Sequence, residues 1–233
     1  MNIWVTGIVF LVVILLCLVK FVWKRHDLKF IAKKEITRIL KGITYIYVPS
    51  YCLSYYYTDR LTDMSLQTTN KAIEFALWIK KLGGNPILIL STSYAVLWEK
   101  EADIKTKMAL DAGLSLENII IIPEVTDSYN EARKVRIIIR NCLLSSQGSS
   151  QGSILFAIAE RLHASRVGIP LRSFGVAVDG VEGVKARIER ALEPSWIKSI
   201  RSAHVVPYAL WQWIFYLANP LMVWREKRKQ KGG

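Results

Sequence analysis

The chain has 233 residues, 52% of them apolar, and a net charge of +13 from 32 Lys and Arg against 19 Asp and Glu. That suits one domain with additional segments, and the apolar share is more than enough for a core. Three cysteines and three histidines, scattered without a CxxC or any cluster at metal-ligand spacing, speak against a disulfide framework or a zinc site.

Ile3 to Trp23 is nearly unbroken Ile, Val, Leu, Phe and Trp, about 21 residues and enough to cross a ~30 Å hydrocarbon layer. It lacks the positive leading region and small-residue cleavage site of a signal peptide, so it reads as a retained transmembrane helix. Lys20 stands near its end, Lys24, Arg25, Lys29, Lys33 and Lys34 follow it and no Lys or Arg precedes it, which places the rest of the chain in the cytoplasm. The basic flanks, 20–41 and 225–231, both border apolar segments, so anionic phospholipids are the expected partner and nucleic acid is disfavoured.

Residues 27–40 carry Leu28, Ile31, Ile36 and Leu40 at a loose helical period, fitting a basic juxtamembrane helix or a solvated connector. Beyond Gly42 five short runs follow: Ile43 to Val48, Ile87 to Leu90, Ile119 to Ile122, Ile154 to Ala159 and Phe174 to Val178. Their continuous Ile- and Val-rich character is that of strands buried on both faces. Helical patterns alternate with them. Thr68 to Leu82 stops at Gly83-Gly84, Trp98 to Ala112 stops at Gly113, and Ser128 to Leu143 opens on a capping box, Ser128 to Glu131, with Asp127 a competing cap. The segment 144–153, LSSQGSSQGS, reads as a surface linker, and Val184 to Leu192 as a basic helix. The fold class is therefore α/β, a Rossmann-like, mainly parallel sheet of about five strands with helices on both faces, plus the N-terminal transmembrane helix. His204 to Trp224 is apolar and aromatic but interrupted by Pro207 and Pro220, which favours a helix packed on the domain or lying in the membrane interface over a second span. The segments are an anchor over 1–24, a juxtamembrane segment over 25–42, the α/β domain over 43–204, and the apolar helix with its basic tail over 205–233.

In such a sheet, groups at the carboxyl ends of strands are the first candidates for function. Ser91 and Thr92 follow the second strand, Thr126, Asp127 and Ser128 the third, and Glu160, Arg161, His163 and Arg166 the fourth. Together they suit an anion, held by hydroxyls, a helix N-terminus and bidentate arginine. His163 and Arg166, three apart, share a helix face; the imidazole, kept neutral by the guanidinium, is the acid or base. Other readings stand beside these: Asp127 and Ser128 as helix caps, Glu160 and Arg161 as a surface pair, His163 as structural. The absence of GxGxxG, GxSxG and HExxH speaks against a dinucleotide enzyme, a serine hydrolase and a zinc protease.

The order GGNPILILS, LDAGLSLENIIIIPE, TDSYNEARKV and a strand closing on ERLHASR resembles the YdcF/SanA/ElyC-like family of bacterial envelope proteins over roughly residues 43–178. The resemblance implies a Rossmann-like domain, often membrane-anchored, tied to envelope barrier function and cell-wall or surface-polysaccharide metabolism. It equates the family's serine with Ser91, its helix start with Thr126 to Asn130, and its His-x-x-Arg with His163 and Arg166. Some anchored relatives face the periplasm, the opposite side from the one the charge flank gives. PSYCLS stands where the family has a glycine-rich turn, STSY where it has glycines, and Gly168 and Pro170 cut short the helix after His163. Two functions remain open: an anchored protein binding or processing a phosphate-bearing, nucleotide-like or lipid-linked envelope metabolite, and a non-catalytic membrane adaptor. No cofactor is named by these residues.

Overall fold

The computed structural model describes residues 28–93, 97–145, 153–188 and 191, with 214, 218, 220–224 and 228; for Phe30, 143–145, Ser165 and Arg166 it describes the backbone alone. The expected anchor and the 146–152 part of the linker lie outside the described residues. Among the described residues no helix is long and apolar enough to cross a membrane.

Two short helices, α1 (Leu28–Lys34) and α2 (Ile36–Lys41), lead into β1 (Ile43–Val48). Then come α3 (Asp63–Lys81), β2 (Asn85–Ser93), α4 (Trp98–Asp111), β3 (Ile119–Val125), α5 (Ser128–Ser145), β4 (Ile154–Glu160), α6 (Arg161–Ser173) and β5 (Gly180–Val184). The five strands form one sheet in the order β3-β2-β1-β4-β5, with every pairing parallel. The α/β class and the parallel sheet expected from the Ile-rich runs are what the chain adopts.

The alternation of side chains along the strands divides the core in two. Ile46, Val48, Leu88, Leu90, Ile154, Phe156 and Ile158 meet α3 on one face, where Phe75 sits edge-on to Phe156 at 5.2 Å between ring centroids. Leu28, Ala32 and Ile39 of α1 and α2 join this cluster, and Lys29 pairs with Glu74 of α3 at 2.7 Å, so the basic leading segment packs on the domain. Tyr45, Tyr47, Ile89, Leu155, Ala157 and Ala159 meet α5 and α6 on the other face; Met222 and Val223, in the helical residues 220–224, pack against that cluster as well.

Three helices stop in the same way. Gly83 and Gly113, at φ +86° and +99°, end α3 and α4, and Gly175 at +76° ends α6; in each the residue after the glycine donates its N–H back to the carbonyl five residues earlier. The third stop corrects the expected strand over Phe174 to Val178. Phe174 and Val176 are the apolar contacts of that turn, with the Val176 N–H on the Leu171 carbonyl at 3.0 Å. The fifth strand is the next stretch, GVEGV, which has little β-propensity of its own. Its glycines fit close approaches: a Cβ at Gly180 would lie 2.8 Å from Leu28, and one at Gly183 3.2 Å from the Arg161 backbone. A strand over 180–184 also removes the start of the helix expected at Val184 to Leu192, since 185–188 hold no regular structure. The helix after β4 is likewise longer than expected, running through Gly168 and Pro170 to Ser173. Pro170 only forfeits one backbone donor there, and the buried Val167, Leu171 and Phe174 hold the turn against the core.

Candidate functional site

The chain leaves β1 toward β2 and β3, then returns across the sheet to β4. The carboxyl ends of β1 and β4 are therefore the topological switch point, where open α/β sheets hold their ligands. Two polar clusters meet at this edge, joined by the turn Ser50-Tyr51-Cys52.

The first is charged and mostly buried. Helix α4 buries the stripe Glu101, Ala102, Lys105 and Ala109, so its core-facing side carries an acid and a base one turn apart. Lys105 Nζ lies 2.8 Å from Glu101 Oε1 and donates at 2.7 Å to the Ser91 carbonyl, beside the irregularity in the β2–β3 pairing. The other Glu101 oxygen accepts the Ser93 N–H at 2.9 Å, and the Ser50 hydroxyl donates to the same carboxylate at 3.3 Å. Glu131 enters from α5, buried to 4% exposure, and accepts the Ser50 N–H at 3.1 Å. Burial pushes the Glu131 carboxyl up to about 7, against the opposing pull of the Ser91 and Tyr47 hydroxyls, the Ser50 N–H and Lys105. Burial, reinforced by Glu131 alongside, also holds the Tyr47 phenol well above its ordinary value.

The second cluster is built around one phenol. Tyr51 reaches from the end of β1 to that of β4, where its hydroxyl accepts the Glu160 N–H at 2.7 Å and lies 2.9 Å from His163 Nδ1. The phenol oxygen thus links a strand-end N–H to the imidazole, donating to Nδ1 or accepting from it according to the tautomer of the ring. Glu160 is not half of a surface pair. It is buried, and its carboxylate caps α6 by accepting the Leu162 and His163 N–H groups at 2.9 and 3.2 Å. Cys52, at φ +63°, lets the turn present Ser50 and Tyr51 to the two clusters; its carbonyl is fixed by the Thr62 N–H at 3.2 Å.

The residues expected to form one anion site are only partly gathered. Ser91 and Thr92 belong to β2 itself and are fully buried; Ser91 lies beside Glu131, while the Thr92 hydroxyl turns to the Ile122 carbonyl at 3.4 Å. Asp127 is the cap of α5, accepting the Tyr129 and Asn130 N–H groups at 2.8 and 2.9 Å, and Thr126 donates to Asp127 at 3.2 Å. Glu131, expected to complete the capping box, points into the core instead because Asp127 already fills that role. Ser128 opens the same helix. These three residues follow the edge strand β3, three strand spacings of ~4.8 Å from the end of β4 where Arg161 and His163 stand. Arg161 begins α6 and is half-buried; the backbone of Arg166 lies one turn beyond His163.

Glu101, Lys105, Ser50, Tyr47 and Tyr51 were not singled out from the sequence as site residues, and Glu131 was read only as part of a helix cap. The available signal was the weak apolar stripe of α4, where helical spacing from Ala102 to Ala109 passes through Lys105 instead of a large hydrophobe. Among the described residues no group of three or more His, Cys, Asp and Glu side chains is placed to hold a metal. Compared with known proteins, the chain matches no family model, no curated protein and no solved structure.

Proposed function

We propose that this chain is a membrane-anchored, YdcF-like α/β protein that binds a small phosphate-bearing metabolite of the cell envelope at the carboxyl edge of its sheet and moves a proton there through Glu131. The observation that carries this reading is the burial of two carboxylates and an ammonium at the strand ends, where packing alone calls for apolar side chains. A carboxyl titrating near neutrality suits a general acid or base. Arg161, at the switch point, supplies positive charge for the anion. The anchor is the apolar segment from Ile3 to Trp23, with the domain on the cytoplasmic side and the basic flanks against anionic headgroups.

A second reading, a non-catalytic membrane adaptor, draws on a different observation. The N-termini of α5 and α6, which the anion was expected to use, are already filled by Asp127 and Glu160. A thermal-shift series on the detergent-solubilised full chain separates the two. Inorganic phosphate, glucose 1-phosphate or adenosine monophosphate at about a hundred times its Kd raises stability by ~2.7 kcal/mol under the first reading, and Arg161→Ala abolishes the gain. No stabilisation by any of the three sinks the ligand reading and leaves the adaptor.

A further inference from the structure

The helix-to-strand connections that feed β1, β2 and β3 meet at the amino end of the sheet, opposite the switch point. These three strands are neighbours, so their connections stand side by side, about 4.8 Å apart per strand. Leu40 and Leu110 sit in the last turns of α2 and α4, Leu82 just past α3, and Leu116 just before β3. Their exposures are 51, 42, 37 and 66%. Close contacts join the connections. The Leu40 side chain lies 3.8 Å from where a Cβ at Gly83 would stand, Lys80 Nζ donates to the Gly113 carbonyl at 3.4 Å, and the Asn118 side-chain amide donates to the Pro86 carbonyl at 3.1 Å. The remaining exposed leucine and isoleucine within residues 28–191, Leu66 and Ile137, are placed singly, in the first turn of α3 and the middle of α5.

Scattered exposed leucines are ordinary, but a row of four along one edge, interleaved with lysine, is a surface suited to contact. Lys41 follows Leu40, Lys80 and Lys81 precede Leu82, and all three are exposed, as are Lys33 and Lys34 at the end of α1. Asp111 and Glu117 are the exposed carboxylates beside Leu110 and Leu116, so the edge is net positive. Lysine stems lie along apolar surface and carry the ammonium to its rim, which suits leucines dipping below anionic headgroups. A second copy of the chain fits less well, because pairing this edge with itself sets lysines against lysines.

The length of chain ahead of the domain points to the same occupant. The apolar run ends at Trp23, and Leu28 is already fully buried, its side chain against Gly180 at the start of β5. Five peptide steps separate the two, at most about 18 Å. From Leu28 onward the chain is fastened to the domain. Lys29 pairs with Glu74 at 2.7 Å, and Arg38 with Asp179 and the Ser153 carbonyl, each at 3.0 Å. Asp179 and Ser153 directly precede β5 and β4, so the Arg38 bonds also lie at the amino end of the sheet. An anchor on so short a tether holds this end of the domain at the bilayer.

We infer that the amino edge of the sheet lies on an anionic bilayer, with Leu40, Leu82, Leu110 and Leu116 at the acyl boundary and Lys41, Lys80 and Lys81 among the headgroup phosphates. The inference rests on the membrane anchor given under Proposed function and deepens that reading. The carboxyl edge, a strand length of about 20 Å away, opens to water, so its phosphate-bearing ligand is a soluble one and not a lipid headgroup or a lipid-linked sugar.

The test is photocrosslinking of the full chain reconstituted in vesicles of equal parts phosphatidylglycerol and phosphatidylcholine. Benzoylphenylalanine takes the place of Leu82, Leu116 or Tyr56, the last exposed beyond the carboxyl end of β1. Positions 82 and 116 crosslink lipid at least about ten-fold more than position 56. The double variant Lys41→Glu, Lys81→Glu changes two exposed side chains, keeps the parent melting temperature and lowers the crosslink at 82 about five-fold, as do vesicles of phosphatidylcholine alone. A chain that stays in the vesicles yet crosslinks no lipid at 82 and 116, crosslinks equally at 56, or crosslinks a second copy of itself, overturns the inference and leaves the anchor intact. A crosslink indifferent both to the two glutamates and to the loss of phosphatidylglycerol overturns it as well. Extraction of the parent chain by alkaline carbonate overturns the anchor, and the inference with it.

Discussion

On the β2 side of β1 the carboxyl edge is held by a buried ion pair, and on the β4 side by hydrogen bonds through one phenol, although both clusters hang from neighbouring residues of one turn. Ser50 touches Glu101 and Glu131; Tyr51 touches Glu160 and His163. In the first cluster each charge is tolerated only because its partner is present in the same low-dielectric pocket. In the second, one phenol satisfies a strand-end N–H and holds the imidazole, while the buried Glu160 carboxylate is satisfied by the N–H groups that open α6. The ion-paired side is therefore expected to respond to pH and to the loss of a single partner, and the Tyr51 side to the loss of one hydroxyl.

The largest effect is expected from Lys105→Met. It leaves Glu101 as a buried carboxylate without its cation and costs about 3–5 kcal/mol in urea denaturation. Replacing both, Glu101→Leu with Lys105→Met, recovers most of that, because the desolvation penalty goes with the pair. A loss under ~1 kcal/mol for the single variant would mean that Glu101 is solvated, and the contrast between the two sides would collapse.

Next comes the pH dependence of the same cluster. The folded-state value of Glu131 is raised from 4.5 to about 7, so the fold favours the protonated carboxyl. Between these values the folded chain binds more protons than the unfolded one. The favourable contribution is full below pH 4.5 and is lost as pH rises through about 7, a difference of at most about 3 kcal/mol. Glu131→Gln keeps an acceptor for the Ser50 N–H and flattens this part of the stability profile, making the variant more stable than the parent at pH 8. A profile unchanged by the substitution would assign the titration to another group.

The strands that build this edge were legible because β1 to β4 are continuous apolar runs, and a buried parallel strand needs little else. β5 was not, since its glycines are chosen by Leu28, Phe156 and the start of α6, none of them neighbours in sequence. The Tyr51 cluster was half legible: His163 and Glu160 stand at a strand end, but Tyr51, 112 positions from its histidine partner, looks like any loop aromatic. The charged cluster was hidden by local rules that fit equally well. Glu101 and Lys105 satisfy the spacing of an exposed i,i+4 pair, and Glu131 satisfies a capping box. Only the helix orientations, set by Ala102 and Ala109 in α4 and by Ala132 and Val135 in α5, turn them inward.

On the β4 side, Tyr51→Phe removes the partner of the Glu160 N–H and of His163 Nδ1 while keeping the ring. A loss of about 1–3 kcal/mol is expected, without the pH dependence of the charged cluster. In proton NMR the His163 imidazole signals should move as the ring loses its phenol partner. Unchanged signals would remove Tyr51 from control of that ring.

The smallest effect distinguishes a cap from a ligand. Asp127 was expected among the anion-binding residues and accepts two N–H groups of α5 instead. Asp127→Ala should cost about 1 kcal/mol, the usual value of an N-cap, and Asp127→Ser should cost less because a hydroxyl still reaches the same donors. Neither should weaken phosphate binding measured by calorimetry, since the residue lies beyond the edge strand, away from the β1 and β4 ends. Affinity that falls in Asp127→Ser while stability holds would return this residue to the site and move the ligand across the sheet, from the switch point to the end of β3.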